Sequence, residues 1–193
     1  MGGNEFYYAQ KYKDSYWVGM DIEDSLFNIF RENAREIDNV KLVKGDWFHL
    51  DRGLTGEFDG IISLQAISWL SEWERPLQEI CCLQPKWIAL SSLFYEGDIE
   101  YIIRSYNYER VDEKNNKQCT EAFYNIYSIP KIKEYLYNRG YKIFHYEPFE
   151  IDIDIPKQNS FDWGTYTVKL ENGKRLQISA AMLMPWYFIF ASK

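Results

Sequence analysis

Tyr16-Trp17-Val18-Gly19-Met20-Asp21 is the stretch on which the reading of this chain turns. Tyr16 to Met20 is a short apolar run that reads as a strand, and it stops at an acid. Directly after it, Leu26, Ile29, Phe30, Asn33, Ala34 and Ile37 recur every three or four residues, with Asp24 placed to cap the first turn. That is a strand followed by an amphipathic helix. Val40 to Lys44 is the next strand, closed by Gly45-Asp46, and Phe58 to Leu64 is a nearly continuous apolar run behind the turn formers Thr55-Gly56-Glu57. Such runs suit parallel strands buried on both faces.

Further along, Arg75-Pro76-Leu77 opens a helix with proline where its missing N–H costs little, and Pro85 stops that helix before the strand Trp87 to Phe94. Ile99, Ile102, Ile103 and Tyr106 form another helical face and Glu109 to Gln118 a polar loop, so residues 98–127 read as a helical cap inserted over the sheet. Ser128 caps a helix containing Ile132, Tyr135 and Leu136, Gly140 supplies a left-handed residue at its end, and Lys142 to Tyr146 is a strand. Thr165 to Leu170 and Arg175 to Ser179 flank Glu171-Asn172-Gly173-Lys174, an Asn-Gly hairpin signal that makes residues 165–179 a second insertion. Trp186 to Ala191 is the last strand, expected antiparallel. The whole predicts one α/β domain over residues 1–193, with a Rossmann-like, mostly parallel sheet and flanking helices.

The totals agree with a folded chain: 193 residues, 46% hydrophobic and 26% charged, with a formal net charge of -7. That charge disfavours nucleic acid, since the longest lysine-rich stretch is the short polar run Lys114 to Lys117. Cys81, Cys82 and Cys119 lack metal-ligand spacing and read as reduced and structural, so no metal is expected. The start has neither the basic residues nor the apolar stretch of a signal peptide, and no run approaches the ~18 to 20 apolar residues of a membrane span. The expected compartment is the cytoplasm, and a homodimer is compatible with all of this.

In open α/β sheets ligands bind beyond the carboxyl ends of the strands. Asp21 stands at such an end, 18 residues after Gly3, close to the interval of ~20 between a glycine loop and the acid that receives a ribose. The same place suits a helix cap, and Asp46 after Gly45 suits an ordinary turn.

Val18-Gly19-Met20-Asp21, Lys44-Gly45-Asp46-Trp47 and Phe58-Asp59-Gly60-Ile61-Ile62-Ser63-Leu64-Gln65, in this order, resemble the motifs of the class I S-adenosylmethionine-dependent methyltransferases, and Ser128-Ile129-Pro130 to Gly140-Tyr141 is similar to the helix and turn before that fold's sixth strand. The resemblance implies that Asp21 binds the donor's ribose hydroxyls, Asp46 accepts from the adenine amine, and Trp47 gives the ring an N–H or a flat wall. Gly2, Gly3, Ile22 and Gln65 complete the implied cofactor set, and Asp59 is structural. Of the family's first strand and glycine-rich turn only Met1-Gly2-Gly3-Asn4 stands here, so a shortened or degenerate front end is implied.

Methyl transfer from a sulfonium is an in-line displacement, for which no fixed catalytic set is expected. Acceptor-side candidates are Ser68 and Trp69 after the fourth strand of the family's order, Tyr95 and Glu96 after its fifth, and Tyr106 and Tyr124 among the aromatic residues of the cap. Those rings serve equally well as a small satellite core. His49 and His145 read as hydrogen-bonded structural residues. The expected activity is methylation of a small-molecule, glycan or lipid-linked acceptor, against a non-catalytic interaction module and a nicotinamide-binding protein.

Overall fold

A computed structural model describes residues 3–23, 27, 30, 37–111, 117–157 and 164–193. The chain divides into two compact units, Met1–Leu54 and Thr55–Lys193.

The first unit holds helix α1 (Gly3–Lys11) and strands β1 (Trp17–Asp21) and β2 (Val40–Lys44), which run parallel with Trp17 opposite Val40 and Asp21 opposite Lys44. Its core is Ala9, Phe30 and Val40, with Phe6, Trp17, Ile37 and Leu42 packed around them. Phe6 stacks on Phe30 at 5.0 Å and Tyr8 on Trp17 at 4.9 Å. Gly19 lets these side chains close in, because a Cβ there would stand 2.8 Å from both Glu5 Cγ and Leu42 Cδ1, which would then have to shift. The Asn39 side-chain amide donates to the carbonyls of Ala9 (3.0 Å) and Ser15 (2.9 Å), tying the end of α1 to the approach to β1. Phe27 and Phe30 are helical, as the periodicity after Asp21 predicts; Asp24, Leu26, Ile29, Asn33 and Ala34 lie outside the described residues.

The second unit is built on β3 (Gly60–Leu64), β4 (Trp87–Tyr95), β8 (Ile143–Pro148) and β12 (Trp186–Ser192), in the spatial order β3-β4-β12-β8. β3 and the two-residue β7 (Tyr127–Ser128) pair parallel with β4; β12 lies antiparallel between β4 and β8, as expected of the last strand. Helices α2 (Glu74–Cys82) and α3 (Ile129–Tyr137) bury Leu77 and Ile80, and Ile132 and Leu136. The sheet itself buries Ile88, Leu90, Ile189 and Ala191 on one face. Alternation puts Ala89, Phe188 and Phe190 on the other face. There Phe188 and Phe190 are each 40% exposed, beside an open groove of about 400 Å³ also lined by Leu64, His145 and Glu147. Ser128 Oγ accepts the Lys131 N–H at α3's start, and Gly140 takes φ +95° after its end.

Two small antiparallel assemblies complete this unit. β9 (Thr165–Lys169) and β10 (Arg175–Ser179) form the expected hairpin, with Gly173 at φ +83° in its turn, and β11 (Met182–Leu183) adds a short third strand. The insertion at 98–127 is a correction: it is not a helical cap but a β-hairpin of β5 (Arg104–Val111) and β6 (Lys117–Phe123). Ile99 and Ile102 stay 52% and 62% exposed, so there is no apolar stripe for a helix to bury. Alternation wins instead, with Arg104 and Glu121 paired across the strands at 2.9 Å. No described helix is long and apolar enough to cross a membrane.

Candidate functional site

In the first unit the carboxyl ends of β1 and β2 carry the predicted nucleoside residues. Asp21 closes β1; its carbonyl accepts the Gly45 N–H at 3.0 Å, and its Oδ1 accepts the Glu23 N–H at 2.9 Å. The chain's own turn therefore aims this half-buried carboxylate while using one of its roughly four lone-pair positions. Ile22, next along, is 57% exposed. Asp46 is bound more completely: Oδ1 accepts the Phe48 N–H, Oδ2 pairs with His49 Nδ1, and its carbonyl accepts the His49 N–H, all at 2.9 Å. This makes Asp46 the organiser of a tight turn and gives His49 the hydrogen-bonded role expected of it. Trp47 is half-buried within that turn. Gly3 opens α1, while Gly2 lies outside the described residues.

In the second unit Gln65 follows β3 directly. It is exposed, sits at φ +56°, and its N–H donates to Ser91 on β4 at 2.7 Å. A side-chain-bearing residue in the left-handed region costs about 1–2 kcal/mol, here at a strand's carboxyl end beside a parallel neighbour. That is where ligands bind in such sheets.

Ser68 is a correction to the acceptor set. It is 0% exposed, its Oγ accepts the Leu93 N–H (3.0 Å) and the Ser92 hydroxyl (2.6 Å), and its own N–H donates to Ser92 Oγ (3.0 Å). A group so enclosed offers a ligand nothing; it fixes the loop after β3 to β4. Trp69 and Tyr124 do come together, edge to face at 4.5 Å, and with Trp186, Leu93 and Met184 they make a satellite core. Burial pushes the Tyr124 hydroxyl above its ordinary range, against a hydrogen bond with Ser179. Tyr95 and Tyr106 are 43% and 45% exposed, on β4's carboxyl end and on β5. Tyr187, on β12, is pushed up by burial and by the carboxylate of Glu96. Asn125, fully buried between these elements, carries no signal in the sequence that sets it apart from any polar loop residue.

Residues 2–85 match the methyltransferase domain family. Among solved structures, the N-terminal domain of EvdMO1 with SAH bound aligns at 13% identity and TM-score 0.57, over 99% of this chain and 70% of that one. YcgJ of Bacillus subtilis aligns at 10% identity and TM-score 0.54, over 93% and 82%. The [4+2]-cyclase SpnF aligns at 16% identity and TM-score 0.51, over 76% and 50%. No curated protein matches. The chain carries a class I methyltransferase fold. At the end of β1 the Asp21 carboxylate is oriented by the Glu23 N–H and keeps lone pairs beyond that one bond.

Proposed function

We propose that this chain is a methyltransferase that transfers a methyl group from S-adenosylmethionine to a small-molecule, glycan or lipid-linked acceptor. The observation that supports this best is the Asp21 carboxylate, aimed by the Glu23 N–H at the end of a parallel strand pair. In this reading Asp21 receives the ribose hydroxyls, Asp46 and Trp47 meet the adenine with Ile22 alongside, and Gly2 and Gly3 complete the donor set of the first unit. Trp69, Tyr95, Tyr106 and Tyr124 face the acceptor. The donor brings an electrophilic methyl group, and what remains for the chain is to align the nucleophile and exclude water. A base is needed only where the acceptor atom carries a proton.

Calorimetry with S-adenosylmethionine and its demethylated product tests the donor, and transfer of labelled methyl to a panel of hydroxyl, amine and sugar acceptors tests the rest. Binding of both nucleosides, with no competition by NAD, is expected; binding of neither ends the reading. The tightly bonded Asp46 turn favours a second reading, in which the scaffold is a non-catalytic interaction module. Saturable donor binding excludes it.

A further inference from the structure

We propose that Asn125 is a positioning residue that joins the loop after β3, residues 65–70, and the root of the β5–β6 hairpin into one body. Asn125 is 0% exposed and every polar atom of its side chain is committed. Nδ2 donates to the Leu70 carbonyl (2.9 Å) and the Tyr127 hydroxyl (2.7 Å), and Oδ1 accepts the Ile103 N–H (2.9 Å). Its backbone N–H donates to the Ser68 carbonyl at 2.9 Å, and Tyr127 donates in turn to Leu70 at 3.3 Å. One residue thus grips the loop at Ser68 through its backbone and at Leu70 through its side chain, and the hairpin at Ile103.

The hairpin root is itself closed, because Tyr101 and Ile126 exchange two backbone hydrogen bonds at 2.9 Å and the Tyr124 N–H donates to Ile103 at 3.0 Å. A second contact runs in parallel through Trp69 on the loop and Tyr124 on the root. A buried amide network of this kind has no soft member, since each unmade bond leaves a desolvated group behind. A ligand that displaces the hairpin root at Ile103 therefore acts on the placement of Leu70 and Trp69. That last step rests on the methyltransferase reading; the mechanical coupling does not.

Amide hydrogen exchange on the full chain tests it. In the wild type, peptides spanning 66–71 and those spanning 101–104 and 124–126 are expected to open together with equal protection. In Asn125→Leu, which keeps the volume and removes three side-chain bonds, both segments lose protection by at least about tenfold while α3 and β4 keep theirs. Tyr127→Phe keeps the Asn125 bonds to Leu70 and Ile103 but removes the acceptor of one Nδ2 hydrogen and the Tyr127 bond to Leu70, so it lowers protection of the same two segments by less than Asn125→Leu does. Unchanged protection in Asn125→Leu overturns the proposal, as does one equal loss spread over α2, α3 and the sheet. Should Asn125→Leu fail to fold, Asn125→Ser decides by the same criterion. Donor calorimetry on the same proteins is read separately: a wild type that binds no donor counts against the methyltransferase reading and leaves the exchange result standing.

Discussion

Ser68 Oγ and Ser92 Oγ lie 2.6 Å apart where neither residue is more than 1% exposed. Ser92→Ala removes the acceptor of the Ser68 N–H and the donor to the Ser68 hydroxyl together. Leaving a buried N–H unpaired costs about 1–3 kcal/mol, so the urea midpoint should fall accordingly. An unchanged midpoint would mean that water reaches this site.

Asp21 and Asp46 separate by what already holds them. Asp21→Ala deletes the carboxylate that closes β1, and charge-assisted bonds of this type are worth about 1.5–3 kcal/mol, or roughly ten- to hundredfold in Kd for the demethylated donor. Asp46→Ala also frees the Phe48 N–H and the His49 ring, so it should lower the melting temperature as well as the affinity. Equal affinity in wild type and Asp21→Ala removes that residue from the donor set.

Gln65 is held in a backbone region where glycine rests without strain. Gln65→Gly should raise stability by about 0.5–1 kcal/mol, the relief of strain exceeding the extra entropy of glycine. If its side chain meets a ligand, the same variant binds more weakly. Thermal unfolding and calorimetry on one preparation read both effects, and a drop in both would show that the side chain is structural.

Burial pushes the Tyr127 hydroxyl from 10.0 up to about 12, and the Cys81 thiol from 9.0 up to about 12. Both groups are neutral when protonated and the fold favours that form, so as pH rises the unfolded chain releases its protons first. The contribution to stability is complete below pH 9 and is lost as pH climbs from 9 through 12. Melting curves between pH 8 and 11 should show this decline, and Tyr127→Phe should flatten the part above pH 10. A flat wild-type profile would refute it.

Strands were legible where both ends are punctuated. Val40–Lys44 lies between Asn39 and Gly45, and Arg175–Ser179 follows Asn172-Gly173, and both have the bounds expected of them. Pro76 in the first turn of α2 and Gly140 after α3 are local chemistry and needed no tertiary knowledge. The hairpin at 104–123 was not legible, because Ile99, Ile102, Ile103 and Tyr106 satisfy a helical period without having a core to face. Of the candidate site, the place of Asp21 at the end of a strand could be read from the apolar run before it. Burial of Ser68 depends on Ser92, 24 residues away, and the grip of Asn125 on Leu70 crosses 55 residues, so neither leaves a local trace.

The two half-covered phenylalanines of β12 have a practical consequence. A folded sheet that wets this poorly will adsorb to hydrophobic resin and brighten environment-sensitive dyes while fully native, and it will crowd into clusters as concentration climbs. Dye fluorescence is therefore no gauge of denaturation for this molecule, and dilute, low-salt handling will keep it dispersed.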